Sequence, residues 1–189
     1  MRLAPVVCLL VAAVAACSTP DSSDNQPSGS GSVAAYDEGA VRDGLVTAFA
    51  GGNPRPRDVA DAECFADRLL ETATAEQLRE GGLVADDGGG VRRLPPLPDE
   101  LAATAADAQL ACVDVVEAST RALTSVRRGD LDPTAYAGCL RGAVPREVQR
   151  EALVATLAGR YDDPAVSTLA EAQVGCAEEQ DRGSLRPRP

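Results

Sequence analysis

Thr104-Ala-Ala-Asp-Ala-Gln-Leu-Ala-Cys112-Val-Asp114 returns later in the chain as Thr168-Leu-Ala-Glu-Ala-Gln-Val-Gly-Cys176-Ala-Glu178. The Thr, two Ala, the Gln and the Cys are identical, and most other positions are like-for-like exchanges. Alanine matches carry little weight in so Ala-rich a chain; a Gln and a Cys in register carry more. Each window follows an Asp beside a Pro, Pro98-Asp99 in one copy and Asp163-Pro164 in the other. Each copy also has one earlier cysteine, Cys64 and Cys139. The chain therefore reads as two tandem helical units with two cysteines apiece, 36–118 and 119–183. The fold expected is all-α, with about four helices per unit, disulfide-clamped into one compact helical domain.

Periodicity and caps outside the windows fit that reading. Val41, Leu45 and Phe49 recur every four residues from a start near Asp37, and Gly51-Gly52 ends that helix. Asp58 is the expected cap of a second helix, with Val59, Ala62, Ala66, Leu69, Leu70 and Ala73 on one stripe. Thr74-Ala-Glu-Gln77 has capping-box spacing and opens a short third helix. A long irregular stretch through Asp86-Asp87-Gly88-Gly89-Gly90 and Leu94-Pro-Pro-Leu-Pro98 precedes the fourth, expected from Asp99 through Val115. The second unit is more compact. Arg121 to Arg128 reads as a helix, Asp132-Pro133 opens the one carrying Tyr136 and Cys139, Pro145 the next, and Asp163-Pro164 the last. No stretch alternates like a strand.

The first seventeen residues point to export. One Arg precedes an apolar run from Val6 to Ala16, too short to span a bilayer. Val14-Ala15-Ala16-Cys17 then resembles the lipobox of bacterial lipoproteins. That resemblance implies a signal peptide over 1–16, a diacylglyceryl group on Cys17 and anchoring to the outer face of the cytoplasmic membrane. An ordinary secretory signal cleaved after Ala13-Val14-Ala15 is the alternative. Residues 17–35, a Ser/Gly/Asp/Pro stretch over most of their length, are expected to form a disordered tether, about 20–25 Å in r.m.s. span for fifteen such residues. Residues 184–189 read as a frayed tail. With Arg used to the exclusion of Lys, the whole chain looks similar to helical, Cys-containing lipoproteins of high-GC Gram-positive bacteria, a group that brings no known activity with it.

Cys8 is lost with the leader and Cys17 is consumed by lipid, which leaves Cys64, Cys112, Cys139 and Cys176. An even set outside the cytoplasm reads as disulfides. The repeat favours Cys64–Cys112 and Cys139–Cys176. Cys64, however, falls almost opposite its helix's apolar stripe, so that helix must be sandwiched on two sides or the pairing must cross the units. No two cysteines stand as Cys-x-x-Cys, which argues against a metal or redox site.

Composition excludes much chemistry. All 18 basic residues are Arg against 29 acidic ones, giving −11, and His is absent. Loss of Arg2 with a leader leaves about −12. No imidazole base, imidazole metal ligand, Schiff-base lysine or P-loop lysine can be built. The acidic balance argues against nucleic acid as a partner. No cofactor is implied. Aromatics are 3% and Trp is 0, so the core must come from Ala, Val and Leu.

The candidate sites are modest. Asp86-Asp87-Gly88-Gly89-Gly90 lacks the ligand pattern of a calcium loop and reads as a turn. Asp37-Glu38, Asp162-Asp163 and Glu178-Glu179 are adjacent carboxylates, which diverge by about 100° on a helix and read as solvated helix ends. Tyr136, Phe65 and Phe49 read as core. Gln109 and Gln173, at matching positions, are the candidate binding surface, with packing between the units as their plainer role. The expected function is a non-enzymatic protein-binding or scaffolding module at the cell envelope, with an envelope protein as partner. A small-ligand carrier or a carboxylate-dependent hydrolase, sited between the units, is the alternative.

Overall fold

Eight helices follow one another in the computed structural model, whose described residues are 36–127 and 131–184. The expected leader, Cys17, the expected tether before Tyr36 and the expected tail after Ser184 lie outside the described residues. The helices are α1 (Glu38–Ala50), α2 (Pro56–Thr72), α3 (Ala75–Glu80), α4 (Asp99–Cys112), α5 (Val115–Arg127), α6 (Pro133–Ala143), α7 (Arg146–Leu157) and α8 (Pro164–Ser184). Among the described residues the only strand-like pairing is an isolated bridge, Val84 to Gly90. All of them belong to one compact unit.

Local chemistry sets most helix starts. The Asp37 carboxylate accepts from the Ala40 amide, Thr74 and Gln77 close a reciprocal capping box, and Asp132 accepts from Thr134 and Ala135. Asp163 accepts from the Ala165 amide at the start of α8. Two expectations need correction. Asp58 sits inside α2, where its carboxylate accepts from the Arg55 amide one residue ahead of Pro56. The fourth helix does not reach Val115: α4 stops at Cys112, Val113 is extended, and Asp114 caps a new helix by accepting from the Glu117 amide. A β-branched run interrupted by a capping Asp favours that break. α5 accordingly begins six residues before Arg121 and runs across the 118/119 boundary between the expected units.

Both expected disulfides form. Cys64–Cys112 ties α2 to α4 and Cys139–Cys176 ties α6 to α8, each with Cα atoms 5.7 Å apart. The awkward placement of Cys64 resolves because α2 packs on α1 and α4 together.

The two halves correspond more closely than the windows alone reveal. Val41, Leu45, Phe65 and Leu69 have counterparts in Val116, Thr120, Leu140 and Val144 at the same offset that relates Cys64 to Cys139. The offset then shortens, because the first half carries a longer connection between α3 and α4. That connection is docked, not loose: the Asp37 amide donates to the Gly88 carbonyl, and Asp87 accepts from the Gly89 amide. A Cβ on Gly44 would lie 2.7 Å from the Gly90 backbone, so bare backbone on both sides lets this loop lie against α1.

Two apolar clusters result. One gathers Val41, Leu45, Phe65, Leu69, Leu78, Leu83, Leu97 and Leu101, with Phe49 stacked on Phe65 at 4.4 Å. The other gathers Val116, Leu131, Tyr136, Leu140, Val144 and Cys176. α7 crosses between the halves. Its Val154 and Leu157 pack on the first cluster, Arg150 pairs with Asp107 of α4, and the Leu157 carbonyl accepts from the Leu97 amide.

Candidate functional site

α5 makes one ion pair across the halves, to α2, and two polar contacts to α8 within its own half. Arg121 reaches Asp61 of α2 at 3.1 Å, Gln173 of α8 donates to the Ser119 hydroxyl at 3.0 Å, and Arg127 pairs with Asp181 at 2.8 Å. Asp61 is the one buried carboxylate among the described residues. Arg57 and Arg121 both contact it at 3.1 Å, one guanidinium per carboxylate oxygen. Such double pairing is what makes a buried charge tolerable. The matching position in the second half is Tyr136, an ordinary core residue that is 2% exposed.

The predicted glutamine pair divides. Gln173 is committed to Ser119. The position matching Ser119 in the first half is Gly44, so Gln109 is offered no such hydroxyl. Its side chain makes no hydrogen bond among the described residues and lines a cleft of about 230 Å³ with Phe49, Asp58, Asp61, Ala118 and Arg121.

Two further clefts adjoin it around α5. One of about 410 Å³, mainly apolar, lies between α5 and α6 over Thr120, Thr124, Pro133 and Ala137, edged by Arg55, Arg121 and Arg141. The other, of about 420 Å³ and mainly polar, lies over the α4–α5 break, edged by Arg57, Arg141 and Arg146. Arg121 belongs to the first two clefts and Arg141 to the last two, so the three form one discontinuous groove. Five arginines thus gather in a chain of formal charge −11.

The carboxylates in this groove are engaged. Asp58 accepts from the Arg55 amide, Asp61 is doubly paired, Asp114 caps α5 and Glu117 pairs with Arg121 at 3.1 Å. Elsewhere, Asp67 and Asp107 are held below the usual carboxylate range by hydrogen bonds from Arg42 and Arg150. Of the adjacent acidic pairs, Asp37 and Asp163 serve as helix caps. Phe65 and Tyr136 are buried and Phe49 is partly so. No group of three or more metal-type side chains gathers among the described residues. No described helix is long and apolar enough to cross a membrane.

Sequence reasoning named Gln109 and missed the arginines. They come from α2, α5, α6 and α7 and share no spacing. The only available signal was local: Arg55 and Arg57 flank a helix start and Arg146 follows a Pro.

Fold and groove together define a disulfide-clamped, all-helical domain with a system of polar and apolar clefts around α5. Comparison of the chain with protein-family models, with curated proteins and with solved structures finds no match.

Proposed function

We propose that this chain is a non-enzymatic binding module, held by a lipid on Cys17 at the outer face of a bacterial cytoplasmic membrane, that engages an envelope protein through the groove around α5. The observation that carries the reading is the chain of three clefts joined through Arg121 and Arg141. Its arginines can pair with carboxylates or other anionic groups, its central cleft offers an apolar floor, and Gln109 has hydrogen-bonding capacity to spare. Engagement of its carboxylates as caps and ion-pair partners supports binding over hydrolysis, since a general acid must be free to hold and release a proton. The clefts of about 410 and 420 Å³ also suit a small ligand, which is the carrier reading; the Gln109 cleft, at about 230 Å³, is smaller than an ordinary ligand pocket.

The test is cross-linking of the full-length protein in its native membranes. Arg55→Ala/Arg141→Ala should lose a stoichiometric partner that the wild type and Arg92→Ala, a change on the loop before α4, both retain. A partner retained equally by all three chains would overturn use of the groove. Metabolic labelling with palmitate tests the anchor, and Cys17→Ala should abolish the label.

A further inference from the structure

Among the described residues, five arginines outside the groove are each matched with a carboxylate. Arg42 pairs with Asp67, Arg68 with Glu71, Arg127 with Asp181, Arg150 with Asp107 and Arg160 with Asp99. Arg42 and Arg150 each donate two hydrogen bonds to their partner. The cleft over the α4–α5 break has fewer carboxylates for its arginines: Arg57 and Arg141 share theirs or hold it loosely, and Arg146 has no ion pair among the described residues. Its lining holds three guanidinium groups, Arg57, Arg141 and Arg146, and one carboxylate, Asp114.

That one carboxylate is poorly placed to satisfy them. One Asp114 oxygen is occupied by the Glu117 amide, and the other lies 3.7 Å from Arg141. Arg146 donates to the Leu110 carbonyl, a neutral acceptor, at 3.2 Å. Arg57 makes a single contact with Asp61, which it shares with Arg121. A guanidinium carries five N–H donors, so most of the hydrogen-bonding capacity here is unspent. The end of α4 (Leu110, Ala111, Cys112) and the start of α5 (Val115, Val116) both line this wall, so their opposite helix-end charges offset and the positive excess comes from the three guanidinium groups. An excess of positive charge in a concave surface, on a strongly acidic molecule, attracts anions.

We infer that this cleft is a carboxylate-binding subsite, and that its occupant is an acidic segment of the protein partner. The inference rests on the groove reading and adds the chemistry of what enters it. A carboxylate suits the place because the guanidinium fork matches its two oxygens, as in the two-bond pairs with Asp67 and Asp107 elsewhere in this chain. Arg141 also edges the neighbouring apolar cleft, so a segment with its acid here can lay an adjacent aliphatic side chain over Thr120, Pro133 and Ala137.

The experiment titrates the full-length protein, held in a non-ionic detergent, into a blocked, fluorescently labelled peptide of glutamates with one leucine and follows anisotropy. Inorganic phosphate is a parallel titrant, followed by the arginine side-chain N–H resonances. Saturable peptide binding that weakens with salt is expected, with affinity falling about tenfold in Arg141→Gln and in Arg146→Gln and unchanged in Arg92→Gln. Thermal melts confirm that each variant is folded, and two separate arginines keep the result independent of either variant's behaviour. No saturable binding, or equal binding by all variants, would overturn the subsite. Saturable phosphate binding that needs Arg141 and Arg146, with no peptide binding, would overturn the carboxylate assignment. Should the native partner still depend on Arg55 and Arg141 in membranes while the peptide does not bind, the subsite falls and the groove reading stands.

Discussion

The two halves spend the same plan on different materials. The first builds its cluster from Val41, Leu45, Phe65, Leu69, Leu78, Leu83, Leu97 and Leu101, all buried, and borrows Val154 and Leu157 from α7. The second has Val116, Leu131, Tyr136, Leu140 and Val144, with a Thr where the first half has Leu45. Apolar burial contributes roughly 25 cal/mol per Å², so the first half holds itself together largely by packing and the second leans more on its cross-link. A repeated architecture thus does not imply repeated energetics, and two of the departures from symmetry, Asp61 and Gln109, line the same cleft.

The largest effects should come from the disulfides. The bridges span 48 and 37 residues, and chain-entropy estimates put each at about 4 kcal/mol. The two should nevertheless differ in where the damage appears. In Cys139→Ala/Cys176→Ala, amide exchange should accelerate through α5, α6 and α8 while α1, α2 and α4 keep their protection. In Cys64→Ala/Cys112→Ala the denaturation midpoint should fall with the first cluster still protected. The same exchange pattern in both variants would break the contrast between packed and cross-linked halves.

A smaller loss is expected where the halves are joined by charge. Asp61→Ala leaves Arg57 and Arg121 without their shared carboxylate, but both guanidinium groups can still reach water. The cost should be about 1–3 kcal/mol, read by chemical denaturation. Asp61→Asn, which keeps the shape, should cost less. If Asp61→Ala were neutral, α2 and α5 would be joined by packing alone.

The sequence revealed the helices through caps and periodicity, and the cysteine pairing through the repeated window. Asp37, Thr74, Asp132 and Asp163 all act within three residues of themselves, which is why their roles could be read locally. Asp61 could not be read that way. Nothing in its neighbourhood in sequence announces that Arg121, sixty residues on, will cover it. The glycines of the α3–α4 connection look like a simple turn until α1 is laid against them, and only then does the bare backbone at Gly44 and Gly90 acquire a purpose. The groove was illegible for the same reason: its arginines are assembled by tertiary packing, and Gln109 becomes distinctive only once Gly44 is seen opposite the place of Ser119.

The smallest expected effects lie at the pH extremes, and they separate the halves again. Hydrogen bonds from Arg42 and Arg150 lower the pKa of Asp67 and Asp107, so the stability from these pairs is present above the usual carboxylate range and is lost as pH falls through the depressed values. Both pairs are exposed, so the loss should be slight and sensitive to salt. It should loosen α1 against α2 in the first half and α4 against α7 at the joint. In alkali the direction reverses. Burial raises the pKa of Tyr136, so its contribution is intact below the unfolded value near 10, and is lost as pH rises through the folded one. Tyr36, in the first half, is raised by burial and by Glu38, but Arg79 over its ring at 5.6 Å opposes that shift. Alkaline opening should therefore begin in the second half, seen as early exchange in α6 and as delayed phenolate absorbance at 295 nm, a standard wavelength of about that value for tyrosine ionisation. Tyr136→Phe should reduce the delayed component, leaving the part that belongs to Tyr36, and flatten the alkaline limb of the stability curve. An unchanged alkaline limb in that variant would mean that the weaker of the two halves is not opened by its buried phenol.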